Sequence, residues 1–114
     1  MSVLNTAKTK NLIEALLALK SEDEAKRFLR DLLTEAELAE FGNRFRAAQM
    51  LTSKLPYSAI EKETGLSSTT VARVSKWLQG SLGGYRLVID RISDAHHHAH
   101  TTTSTKERIV LMSK

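Results

Sequence analysis

Apolar residues recur along the chain at helical intervals, and short polar clusters separate the runs. Leu12, Ile13, Leu16, Leu17 and Leu19 cover most of the circumference of a first helix, about 9–20, with Glu14 the main polar interruption. A helix apolar nearly all round must be buried on several sides. A short chain offers few partners of its own, so this pattern predicts burial against a second chain. Ser21-Glu22-Asp23-Glu24 reads as a capping box, with acids suited to the positive end of the helix dipole. Ala25, Phe28, Leu29, Leu32 and Leu33 then repeat at amphipathic spacing. A second capping box, Thr34-Glu35-Ala36-Glu37, opens a helix over about 35–52, with Leu38, Phe41, Phe45, Ala48 and Leu51 on one side. Gly42 lowers helix propensity there and leaves room for another helix.

Pro56 suits a first helical turn, and a short helix over about 57–63 carries Ile60 inward. Thr64-Gly65-Leu66 reads as a tight turn with Gly65 left-handed. Ser67 caps a helix over about 67–79, with Val71, Val74 and Leu78 inward. Gly80-Ser81-Leu82-Gly83-Gly84 lacks the Lys-Ser/Thr ending of a phosphate loop and reads as a connector. A last helix is expected over about 85–92, with Leu87, Val88 and Ile92. This divides the chain into a helical domain, 1–93, and a low-complexity His/Thr-rich tail, 94–114, expected to be flexible. Ile109-Val110-Leu111-Met112 is an apolar patch too short to assign.

Charge sharpens this picture. Residues 1–53 hold eight Lys/Arg and eight Asp/Glu, whereas 54–91 hold six and three, so the positive excess begins past the midpoint. A basic region on a small domain suits a polyanion. The chain has no cysteine, which excludes disulfides and thiolate chemistry and fits a reducing cytoplasm. Its longest unbroken apolar run, Ala15 to Leu19, is far short of a membrane span. No secretory signal is evident at the start.

Pro56 to Leu78 has the form of a helix-turn-helix, in which the second helix enters the major groove of DNA. With Val71, Val74 and Leu78 inward, Thr69, Ala72, Arg73 and Lys76 point the other way. Ser68, Thr69 and Ala72 are the candidate base readers, and Arg73 and Lys76 the candidates for phosphate or guanine. Ser67 and Thr70 add hydroxyls at the leading end, and Lys54 adds a phosphate contact. The competing reading is a helical hairpin used for packing or protein contacts, an interaction module without DNA binding. No catalytic constellation appears: Glu37, Glu40 and Arg44 share a helix, but capping and solvation account for the acids. His96 and His100 have the i, i+4 spacing of a metal pair without further ligands, so no metal or cofactor is expected.

The segments Leu33-Thr34-Glu35-Ala36-Glu37, Phe41-Gly42-Asn43-Arg44-Phe45-Arg46 and Thr69-Thr70-Val71-Ala72-Arg73 together resemble the tryptophan repressor family, in particular its YerC/YecD-like branch. The resemblance covers about 12–92. It implies an all-α, six-helix fold with a helix-turn-helix, an interlocked homodimer, and a pseudo-palindromic operator bound in the cytoplasm. It also implies a corepressor pocket at Thr34, Arg44, Arg73, Val74 and Trp77. Val74 and Trp77 stand where the family has Gly and Ser, which implies a vestigial pocket, tryptophan binding lost and Trp77 partly filling the cavity. Double-stranded DNA and a second copy are the expected partners, with no membrane; the sequence names no small-molecule effector.

Overall fold

The computed structural model describes residues 2–103, and side chains as far as residue 96. A 3₁₀ turn at Ser2–Asn5 precedes six helices: α1 (Ala7–Ala18), α2 (Glu22–Leu32), α3 (Glu35–Thr52), α4 (Tyr57–Thr64), α5 (Ser68–Leu78) and α6 (Gly84–Thr103). No strand occurs among the described residues, in agreement with the all-α expectation. The chain forms two compact units, residues 1–40 and 41 onward, with α3 running from the first into the second.

In the first unit, hydroxyl caps set the helix starts. Thr6 accepts from the Thr9 N–H at 3.1 Å, and the Thr9 hydroxyl donates to the Val3 carbonyl at 2.6 Å, tying the 3₁₀ turn to α1. Ser21 accepts from the Glu24 N–H at 3.1 Å. Glu24 takes its return bond from the Lys20 N–H, one residue before the cap. The Thr34 box is fully reciprocal, with the Thr34 hydroxyl on the Glu37 N–H and the Glu37 carboxylate on the Thr34 N–H. Each such cap contributes about 1 kcal/mol. Lys26–Glu22 and Arg27–Asp23 pair at i, i+4 on the solvent face, where such pairs add only a few tenths of a kcal/mol.

These are local forces, and residues 2–40 contain no buried side chain. Leu12, Ile13, Leu16 and Leu32 are exposed, and Leu17 is 81% exposed. The apolar circumference of α1 is therefore present as expected, and a single chain leaves much of it in water.

The second unit has an apolar core. Ala47, Ala48 and Met50 of α3, Ile60 of α4, Val71 and Val74 of α5, and Ile89 of α6 are buried together. Ala47 and Ala48, adjacent on α3, are fully buried there. Phe45, Leu51, Leu66, Leu78 and Tyr85 close the margins, with the Phe45 and Tyr85 rings 6.4 Å apart. The Thr64 hydroxyl, buried beneath the α4–α5 turn, donates to the Ile60 carbonyl and accepts from the Leu66 N–H, so its polarity is matched. Arg46 and Glu63 add an ion pair between α3 and α4.

Several expectations need correction. Phe41 is exposed although its spacing placed it with Phe45. On α6, Leu87 and Val88 are exposed, and Ile89 is the buried residue, because Tyr85, Ile89 and Ile92 form the inward stripe. No neighbour lies within 4 Å of a Cβ built on Gly42, so the described chain does not use that space. Finally, α6 does not stop near Ile92 but continues to Thr103, through His96–His100. Neither proline nor glycine follows Gly84, so nothing in the backbone chemistry ends the helix there. The apolar patch at Ile109–Met112 lies outside the described residues.

Candidate nucleic-acid interface

The candidate surface is built on α5, and the elements around it fix that helix at both ends. Gly65 closes α4 in the left-handed region at φ 74°, its N–H on the Glu61 carbonyl at 2.8 Å. A glycine takes this conformation without the Cβ penalty, and the chain then turns directly into α5. Ser67 caps α5 by accepting from the Thr70 N–H at 3.2 Å, and its hydroxyl donates to the Thr70 hydroxyl at 3.1 Å. At the other end, the Arg86 guanidinium reaches back from α6 and donates to the Leu78 carbonyl. Gly83 makes room for it: its φ is 68°, and a Cβ there would lie 2.9 Å from Arg86 Nη2. Arg86 is thus spent on holding α5, a use that its place in the basic half of the sequence does not reveal.

Between these ends α5 has two distinct faces. Val71 and Val74 are buried, at 0% and 2% exposure. Ser68, Thr69, Ala72, Arg73 and Lys76 are all exposed. Thr69, Ala72, Arg73, Lys76 and Trp77 line one open depression of about 300 Å³. Residues 67–79 contain no acid, so the arginine and lysine give this face an unopposed positive charge. Its chemistry is that of hydroxyls, a methyl group and two cations on a rigid helix, which suits a polyanion carrying hydrogen-bonding edges.

The remaining named residues are distributed differently. Ser67 and Thr70 sit at the start of α5, with their hydroxyls engaged in its cap. Lys54 is exposed after α3, in the left-handed region at φ 63°. The Lys54 N–H meets the Leu51 carbonyl, and the Leu55 N–H meets that of Met50, the two bonds of a Schellman ending. Lysine here occupies the position that glycine usually fills.

Of the corepressor residues named from resemblance, Thr34 belongs to the first unit, its hydroxyl used in the α3 cap. Arg44 is half-buried on α3. Arg73 and Trp77 share the outer depression of α5, whereas Val74 is on the opposite face, in the core. Among the described residues, no group of three or more His, Cys, Asp or Glu could hold a metal ion. No described helix is long and apolar enough to cross a membrane.

Comparison with known proteins agrees with this architecture. The family model described as Trp repressor protein matches residues 7–93. The uncharacterized protein YerC of Bacillus subtilis (strain 168) is 35% identical over 83 residues, covering 73% of this chain and 80% of its own length. A solved TrpR-like protein from Eubacterium eligens ATCC 27750 superposes with a TM-score of 0.78 at 34% identity, over 82% of this chain and 96% of that one. A second solved structure, from Staphylococcus aureus, gives a TM-score of 0.76 at 32% identity, over 81% and 92% of the two chains. The resemblance first carried by three short segments therefore extends over most of the chain, which belongs to the Trp repressor family, a family of DNA-binding transcription regulators.

Proposed function

We propose that the chain is a homodimeric repressor that reads a pseudo-palindromic operator in the cytoplasm and does so without tryptophan as corepressor. The observation that carries this reading is the division of α5 into a buried face, Val71 and Val74, and an exposed, acid-free face with Thr69, Ala72, Arg73 and Lys76. In this reading α5 enters the major groove by its N-terminal end. Ser68, Thr69 and Ala72 meet base edges, where a small side chain lets the helix backbone approach. Arg73, Lys76 and Lys54 neutralise phosphates, and Ser67 and Thr70 present the first turn.

The exposed apolar circumference of α1 supports the dimer. Covering one leucine side chain contributes about 1.5–3 kcal/mol, and Leu12, Ile13, Leu16 and Leu17 are all available for it. A two-fold dimer presents two α5 helices and so requires a two-fold site, with half-sites one helical turn or a multiple apart. Loss of the tryptophan response rests on Val74 and Trp77. Val74 fills part of the apolar core, and Trp77 brings bulk to the position where the resemblance expects serine.

The test is DNA binding by the intact chain, with sedimentation to fix its oligomeric state. A dimer whose affinity for duplex DNA falls steeply with salt is expected, and Lys76→Ala, which removes one phosphate contact from each protomer, should reduce the magnitude of the log–log salt slope by about 1.8. A dimer without salt-dependent DNA binding would favour a helix-turn-helix retained for protein contacts.

A further inference from the structure

Trp77 is unusual among the residues of the outer α5 face. Tryptophan is large and highly buried on average, yet Trp77 is 49% exposed beside Arg73 and Lys76. Its backbone is fixed, since its carbonyl accepts from the Gly80 N–H at 3.1 Å and Arg86 holds the adjacent Leu78 carbonyl. The ring is therefore presented from a firm helix end.

We propose that Trp77 is a contact to the DNA backbone: its indole packs on a deoxyribose at the wall of the major groove, and its ring N–H donates to a phosphate oxygen. This rests on the DNA-binding reading above. Three observations support the assignment. Trp77 lies eight residues beyond Thr69 and lines the same depression; at 1.5 Å per residue that is about 12 Å along the helix. The major groove is about 8.5 Å deep, so with α5 entering by its N-terminal end and Thr69 at the base edges, Trp77 lies at the groove mouth, where sugars and phosphates stand. The indole chemistry matches that location, since the ring face is apolar and the N–H is a donor only. The charge also matches, because Arg73 and Lys76 flank the ring and no acid lies between residues 67 and 79. The contact is sequence-tolerant and adds affinity without an ion pair.

The experiment uses the full chain and a fluorescein-labelled duplex of mixed sequence at about 50 mM salt, where phosphate binding is strong. Label anisotropy reports the complex, and the chain's single tryptophan reports Trp77 itself. Complex formation should change tryptophan emission. Trp77→Ala should weaken binding roughly tenfold, the effect of burying on the order of 25 Å² of apolar ring on each of the two protomers. The salt slope should stay the same, and Trp77→Phe should recover part of the loss. Helical circular dichroism and sedimentation of both variants should match the parent. A complex seen by anisotropy, with unchanged tryptophan emission and unchanged affinity of Trp77→Ala, overturns this inference and leaves DNA binding standing. Dissociation or unfolding of Trp77→Ala assigns the ring to packing and also overturns it. No anisotropy change with any form overturns both readings.

Discussion

Replacing Lys54 by glycine should make the protein more stable and a weaker DNA binder. Lys54 holds φ at 63° in the Schellman ending of α3, with the Lys54 N–H on Leu51 and the Leu55 N–H on Met50. A side chain in the left-handed region costs roughly 1–2 kcal/mol, and glycine avoids this. Glycine returns about 0.4–1 kcal/mol of that gain through the added freedom of the unfolded chain. The net expectation is about 0.5–1 kcal/mol of stabilisation, or a melting midpoint raised by roughly 2–6 °C for a domain of this size. Protein concentration must be held fixed, because the midpoint of a dimer depends on it. If Lys54 of each protomer also meets a phosphate, the same variant loses affinity and its log–log salt slope falls in magnitude by about 1.8. Circular dichroism melts and anisotropy titrations at several salt concentrations read the two effects separately. A lower melting midpoint would refute the strain argument. An unchanged salt slope would remove Lys54 from the DNA contacts and leave its conformation without a functional reason.

Leu17→Glu should leave helix formation intact, since Leu17 is 81% exposed in the single chain. It should weaken self-association at least about a hundredfold by sedimentation, because two leucines are lost per dimer; an unchanged dimer would exclude this face of α1 from the interface. Gly83→Ala should cost about 1–2 kcal/mol in a denaturant melt through its φ of 68°, while the Arg86 guanidinium shifts to clear the new methyl group; a neutral result would contradict the need for glycine at this turn. Thr69→Phe should weaken cognate binding by about 1–3 kcal/mol with little effect on random duplexes. Equal losses on both DNAs in competition titrations would contradict a base-reading role.

Where the sequence was informative, the signal was local. Ser21, Thr34 and Ser67 mark helix starts because each hydroxyl satisfies an N–H only three residues away. Ile60, Val71 and Val74 were legible as core because polar neighbours on α4 and α5 leave one inward stripe. On α6 that contrast is missing. Tyr85, Leu87, Val88, Ile89 and Ile92 surround the helix, so periodicity alone could not choose Ile89 over Leu87 and Val88. The far end of α6 was missed for a different reason: low complexity suggested a loose tail, yet it carries no residue that forbids a helix. The outer face of α5 followed from the position of its buried face. The commitment of Arg86 to Leu78 did not, because it depends on how the Gly83 turn brings α6 back toward α5.

Selection of genomic fragments by the purified full-length chain, with and without L-tryptophan at about 150 mM salt to suppress nonspecific phosphate binding, tests the regulator most directly. The expected result is enrichment of the same palindromic site in both arms. Enrichment confined to the arm with tryptophan would restore a working corepressor pocket and refute the reading of Val74 and Trp77. No enrichment in either arm would contradict sequence-specific operator recognition.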